Sequence, residues 1–230
     1  MVLCENRLRC GSSGISFQSK RLTTTSKTGI LRIMEIKRAV NVGVDIHEKI
    51  SEIFVDGFGK DLRFFSKDKN KLAKALAHIF VVDYFYVAVI DDEVAGITAC
   101  VDRDHFCVNP DRKTLVKHLG IVKGFLAASS FKRYFQHYPK YPVDMDSTTA
   151  SVEFVAVSSK HRKKGVASAI LTHLHSLPEY KDYILEVADT NTNAFELYKR
   201  LGYKEVVRKK LKLEKLFSKV NYFVYMKYSK

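Results

Sequence analysis

The sequence predicts a single α/β (α+β) domain, and three observations lead there. From Met34 onward, strand-like and helix-like patterns alternate with no linker and no internal repeat. A hairpin is marked by the near-continuous apolar run Tyr84 to Ile90, the acidic turn Asp91-Asp92-Glu93 and the β-prone return Val94 to Val101. Finally, the apolar strand Val152 to Val157 runs into a basic, glycine-containing turn that opens a helix.

Taken in order, Glu35 to Val40 reads as the first strand. Ile46, Ile50, Ile53 and Phe54 recur at helical spacing over Ile46 to Phe58, and Leu72, Ala75, Leu76 and Ile79 do so over Lys71 to Phe80. Residues 102–150 then form an insertion too long to lack structure of its own. Leu115, Leu119 and Val122 predict a helix there, which Phe125-Leu126-Ala127 extends beyond Gly124. After the strand and basic turn, Val166, Ile170, Leu174 and Leu177 line one helix face. Tyr183 to Val187 is a strand, and a short helix begins near Ala194. Asn191 or Asn193 can cap it, and Gly202 lies just past its end. Glu205 to Leu213 and Tyr222 to Lys227 close the pattern as strands.

The chain has 230 residues, enough to bury a substantial core without staples. No apolar run is long enough to span a bilayer, so no membrane partner is expected. Cys4, Cys10, Cys100 and Cys107 make no disulfide or metal-ligand framework and read as reduced thiols in a cytoplasmic setting. Asp102, Asp104, His105 and Cys107 are close in sequence, but that mix of hard and soft ligands reads as a polar loop, so no metal is expected. Net charge is +14. Residues 1–33 carry six basic side chains against Glu5 alone, which leaves +9 for Met34 onward. This Ser/Thr-rich extension reads as disordered, or as preceding a true start at Met34. Organelle targeting is the disfavoured reading.

The basic turn points to an anion. A helix N-terminus presents unpaired N–H groups and the positive end of its dipole. In Arg162-Lys163-Lys164-Gly165-Val166-Ala167-Ser168, Gly165 removes a side chain where ligand oxygens must approach. Ala167 keeps the next turn narrow, and the three cations add mobile positive charge. The arrangement suits a pyrophosphate, and it lacks the glycine-lysine signature of a nucleotide P-loop.

This Arg-x-x-Gly-x-Ala spacing resembles the acyl-CoA loop of the GNAT superfamily of N-acetyltransferases. The later run Asn191-Thr192-Asn193-Ala194-Phe195-Glu196-Leu197-Tyr198-Lys199-Arg200-Leu201-Gly202-Tyr203 resembles that family's Asn-x-x-Ala-x-x-Leu-Tyr-x-x-x-Gly-Phe/Tyr segment. The likeness is specific over residues 150–204 and diffuse elsewhere from Met34. It implies a GNAT-like mixed, mostly antiparallel sheet with helices on both faces. It also implies transfer of an acetyl group from acetyl-CoA to a primary amine.

Such a reaction needs the thioester held, its carbonyl polarised, the ammonium deprotonated and the thiolate protonated. By the resemblance, backbone groups of Val155, Ala156 and Val157 pair with the pantetheine arm, with an N–H near Val155 facing the thioester oxygen. Arg162 to Ser168 takes the pyrophosphate, and Asn191 and Ala194 belong to the cofactor side. Tyr198 is the candidate acid, or else a half-buried anchor of its helix. Glu153 is the candidate base, or else a carboxylate balancing the basic loop. No Ser/His/Asp or Cys/His nucleophile arrangement stands out.

The insertion is expected to wall the acceptor side, with Tyr134, Phe135, Tyr138 and Tyr141 as apolar wall and Asp144 and Asp146 to attract a cation. Two other readings stay open: a nucleic-acid-binding protein that stacks bases on the Phe131 to Tyr141 aromatics, and an acyl-CoA-binding pseudoenzyme. The acceptor's identity is not legible, and a homodimer is compatible with the sequence.

Overall fold

The computed structural model describes residues 21–25, 31–43, 45–136, 141–210 and 220–230. Its strands are β1 (Arg21–Thr25), β2 (Leu31–Arg38), β3 (Phe85–Ile90), β4 (Glu93–Val101), β5 (Thr149–Val157), β6 (Asp182–Ala188), β7 (Lys204–Lys210) and β8 (Tyr222–Ser229). They form one sheet in the order β1-β2-β3-β4-β5-β6-β8-β7. Neighbours are antiparallel except β5 and β6, which run parallel.

Helices cover both faces. On one face lie α1 (Ile46–Phe58), α2 (Lys69–Leu76), α3 (Arg112–Leu119) and α4 (Ile121–Phe135). Their Ile50, Phe54, Leu72, Leu115 and Phe131 share a core with Phe85, Val87, Ile97 and Phe154 of the sheet. The opposite face carries α5 (Val166–His175) and α6 (Thr192–Arg200). Val166 and Ile170 of α5 pack on Met34, Ile36, Ala88 and Ala95. Leu171 and Leu174 join Tyr198 of α6 against Tyr183, Leu185 and Val187. This is the mixed, mostly antiparallel sheet flanked by helices that the sequence predicts.

One close approach seats α5. A Cβ on Gly96 of β4 would stand 2.6 Å from Val166 Cγ1 and 3.2 Å from Ile170 Cδ1, so only glycine lets the first turn of α5 lie this near the sheet. The β3–β4 hairpin turns through Asp91 and Asp92 at φ 50° and 60°. These are the left-handed values a two-residue hairpin loop of the primed type needs, and aspartate tolerates them.

Several elements differ from expectation. Within residues 1–33, Arg21–Thr25 is described as a strand and β2 begins at Leu31. The rest of that extension lies outside the described residues. The first helix of the insertion is two helices that meet at Gly120, and Val122 is exposed rather than aligned with Leu115 and Leu119. Helix α5 ends at His175, and Leu177 is buried beyond it. Strand β7 is described to Lys210, and the expected continuation to Leu213 falls outside the described residues. No helix among the described residues is long and apolar enough to cross a membrane.

A pH prediction arises from α5. His175 stacks on Tyr228 with ring centroids 3.8 Å apart, and its Nε2 meets the Tyr203 hydroxyl at 2.9 Å. Burial, then nearby Lys230, lower its pKa from 6.5 to about 4. The folded protein therefore holds a neutral imidazole that the unfolded chain protonates more readily. The associated stability is present above about pH 6.5 and is lost as pH falls toward 4. Denaturant titrations should show stability falling across that window, with a shallower fall in His175→Gln. Equal slopes for both proteins would remove His175 as the cause.

Candidate active site

The site begins where β5 stops pairing with β6. Their parallel register runs only from Thr149↔Asp182 to Ser151↔Ile184. Beyond it, among the described residues, β5 and β6 no longer pair, while β6 continues to Ala188 beside β8. On the other side of β5, Ile97 pairs with Ala156 but Ala99 pairs with Glu153, so β5 spends one extra residue. The extra residue makes a bulge, with Phe154 at φ +55°. A left-handed, non-glycine residue costs roughly 1–2 kcal/mol. The Phe154 ring is held against Phe135 at 4.9 Å, Phe54 at 5.2 Å and Phe85 at 6.4 Å, burial that offsets the strain. The Thr98 hydroxyl donates to the Glu153 carbonyl at 3.0 Å across the irregular pairing.

The bulge also sets which side chains face which way. Ser151 and Glu153 point to the α1–α4 side, where Phe154 and Ala156 also pack. Val155 and Val157 are half-buried toward α5 and α6.

The basic turn follows directly. Gly165 has φ +78° and ψ 4°, and no side chain caps the N-terminus of α5. A Cβ on Gly165 would meet nothing within 4 Å, so the space over it is open. Lys163, Lys164 and Gly165 are exposed, Ala167 and Ser168 half-buried, and Val166 buried. Arg162 is not the mobile cation the sequence suggests. Its Nε donates to the Val157 carbonyl at 3.2 Å, and its Nη2 reaches Asp56 Oδ2 at 3.1 Å. Asp56, at the end of α1, also accepts the Ser159 N–H at 2.7 Å. Burial pushes its carboxyl up, but Ser159, Lys69 and Arg162 outweigh this and hold it below the usual range. Arg162 thus clamps the turn to α1, while Lys164 Nζ closes back on the Lys160 carbonyl at 2.8 Å. Lys163, at φ +61°, is in a left-handed conformation in the same turn.

Glu153 is buried, with 8% exposure. Its Oε1 accepts from Ser151 Oγ at 3.0 Å and the Tyr141 hydroxyl at 3.3 Å, and its Oε2 lies 3.6 Å from the Cys107 thiol. It does not balance the basic loop, whose Lys160 is 3.8 Å from Glu93 instead. Tyr198 lies on the other face of the sheet, buried among Val152, Val187 and Tyr203. Its ring is 5.7 Å from that of Tyr203. Burial alone pushes its phenol well above the ordinary value, so the hydroxyl stays protonated at neutral pH. Asn191 rather than Asn193 caps α6, accepting the Ala194 N–H at 3.3 Å, and Ala194 is half-buried beneath it.

The insertion divides its roles. Phe135 reaches the bulge and Tyr141 reaches Glu153, whereas Tyr134 faces solvent. Tyr138 lies outside the described residues. Asp146 is occupied by its own turn, accepting from Thr148 N, Thr148 Oγ1 and Thr149 Oγ1. Asp144 is exposed. Asp102 binds Asp104 N and His105 Nδ1, while Cys107 turns inward to Glu153. Among the described residues no three His, Cys, Asp or Glu side chains converge as a metal site. Sequence reasoning missed Asp56, Thr98 and Ser151, and it placed Cys107 in a polar loop rather than on Glu153. None carried a local signal for its role, since each acts on a partner distant in the chain or through the bulge.

The model of the acetyltransferase (GNAT) family matches residues 48–203. Among solved structures, the GNAT domain of S. lividans PAT aligns with TM-score 0.52 at 15% identity, covering 91% of this chain and 97% of that one. A protein from Pyrococcus horikoshii OT3 aligns with TM-score 0.51 at 15% identity, over 86% of this chain and 98% of its own. An N-acetyltransferase from Staphylococcus aureus Mu50 aligns with TM-score 0.50 at 17% identity, over 84% and 99%. No curated protein matches the chain. At these identities the structures speak for the fold, and the family model, which spans more than half of the chain, carries the assignment: this protein belongs to the GNAT acetyltransferase family.

Proposed function

We propose that the protein transfers the acetyl group of acetyl-CoA to a primary amine at the gap between β5 and β6. The observation that carries this reading is the bulged, splayed strand feeding an uncapped helix N-terminus with open space over Gly165. An extended pantetheine arm pairs with the free edge of β5 at Val155 to Val157 as another strand would. Its pyrophosphate meets the first N–H groups of α5, with Lys163 and Lys164 beside it. An N–H at Val155 polarises the thioester carbonyl.

The two candidate proton-transfer groups lie on opposite faces of the sheet. That placement suits acyl transfer, in which the nucleophile and the leaving group occupy different sides of the carbonyl carbon. Glu153 accepts a proton from the acceptor's ammonium, directly or through water. The amine nitrogen bonds to the carbonyl carbon, the C–S bond breaks, Tyr198 protonates the departing thiolate, and the second proton lost by the nitrogen as the amide forms restores the Tyr198 phenol. Nothing favours the base-stacking reading: Phe131 and Tyr141 are buried and Phe135 packs on the bulge, while Tyr134 is exposed.

The test is CoA release from acetyl-CoA over a panel of primary amines: an N-terminal peptide, a lysine peptide, a diamine and an aryl amine. Release should depend on the amine. Tight acetyl-CoA binding with no release for any of them would favour a binding protein instead. With an active amine, Glu153→Gln should lower kcat about a hundredfold and remove the acidic limb of the rate–pH profile. A retained limb would move the base role elsewhere.

A further inference from the structure

Glu153 stands in a buried site that burial alone would make hostile to a charged carboxylate. Three donors from three parts of the chain meet it. Ser151 comes from the same strand, Cys107 from the segment after β4, and Tyr141 from the end of the insertion. Tyr141 is itself fixed. Its ring packs edge-on against Tyr225 of β8 at 5.8 Å and touches Ile184 of β6, and only 6% of it is exposed. Among the described residues, the titratable groups that act on Tyr141 include the Cys107 thiol, the Glu186 carboxylate of β6 and the Tyr225 hydroxyl.

We infer that Tyr141 is a positioning residue. Its hydroxyl, together with that of Ser151, aims the Glu153 carboxylate and holds it in its charged form beside the β5–β6 gap. The inference rests on the reading of Glu153 as base, and it assigns the insertion a part in proton transfer rather than acceptor selection alone. Two hydroxyls on Oε1, with the Cys107 thiol on Oε2, stabilise the anion against desolvation. Burial, then the Glu186 charge, push the Tyr141 phenol well above its usual range, so it remains a donor wherever the enzyme works. Tyr141→Phe keeps the ring and its packing on Tyr225 and removes only the donor.

The direct experiment needs no acceptor. In protein labelled with 13C at glutamate Cδ, the Glu153 resonance is identified by its loss in Glu153→Gln, and its shift is followed against pH. Losing one charge-assisted hydrogen bond should raise the titration midpoint by about one pH unit in Tyr141→Phe. Ser151→Ala, the second donor on the same oxygen, should move it the same way. With an active amine, the acidic limb of the kcat–pH profile should move by the same amount, while KM for acetyl-CoA stays unchanged. An unmoved midpoint in both variants overturns the inference even if Glu153 is the base. A raised midpoint with no change in the rate profile overturns the base reading and the positioning role with it.

Discussion

Tyr198→Phe is expected to lower kcat about a hundredfold or more while leaving KM for acetyl-CoA near its original value. The ring sits in the cluster with Val152, Val187 and Tyr203, and phenylalanine preserves that packing, so thermal stability should change little. What is lost is a hydroxyl with no hydrogen-bond partner among the described residues. A donor used only as sulfur acquires charge stabilises the transition state and not the bound ground state, so the loss falls on turnover. Burial makes the phenol a weaker acid than in water, but a thiolate formed beside it would be destabilised for the same reason. Their difference, rather than either value, decides the transfer. Wild-type turnover in Tyr198→Phe would make Tyr198 a packing residue and leave thiolate protonation to water.

Gly165 carries the second large effect. Valine there must adopt φ near +78°, a conformation that costs a branched residue at least about 1–2 kcal/mol, and its side chain would stand in the open space over the turn. Acetyl-CoA affinity measured by calorimetry should fall more than tenfold, and the melting temperature should fall by several degrees. Asparagine separates the two causes, because it tolerates the left-handed region yet still fills the space. Gly165→Asn should keep near-normal stability and still bind acetyl-CoA more than tenfold more weakly. If it binds normally, the pyrophosphate does not pass over Gly165.

The two motif segments were legible because their geometry is local. A helix start after a strand, a glycine at the turn and an asparagine cap are written within a few residues of one another, and α5 and α6 form where the pattern places them. The bulge was not legible. Phe154 adopts φ +55° because rings from α1, α4 and β3 close around it, and those partners are scattered from Phe54 to Phe135. Arg162 read as a free cation because its partner, Asp56, lies 106 residues earlier. The placement of β8 between β6 and β7 is a long-range pairing that strand patterns alone cannot order. The break at Gly120 escaped because the helical spacing of Leu115, Leu119 and Val122 runs across it, although only the first two are buried.

The measurement that bears most directly on the site is amide-resolved hydrogen exchange with and without acetyl-CoA. If the cosubstrate lies along the free edge of β5 with its pyrophosphate on α5, added acetyl-CoA should slow exchange at Val155 to Val157 and at Gly165 to Ser168. Amides at the far edge of the sheet, in β1 and β7, should be unaffected. Saturating acetyl-CoA that leaves both segments unchanged, or protects a different surface, would contradict the account.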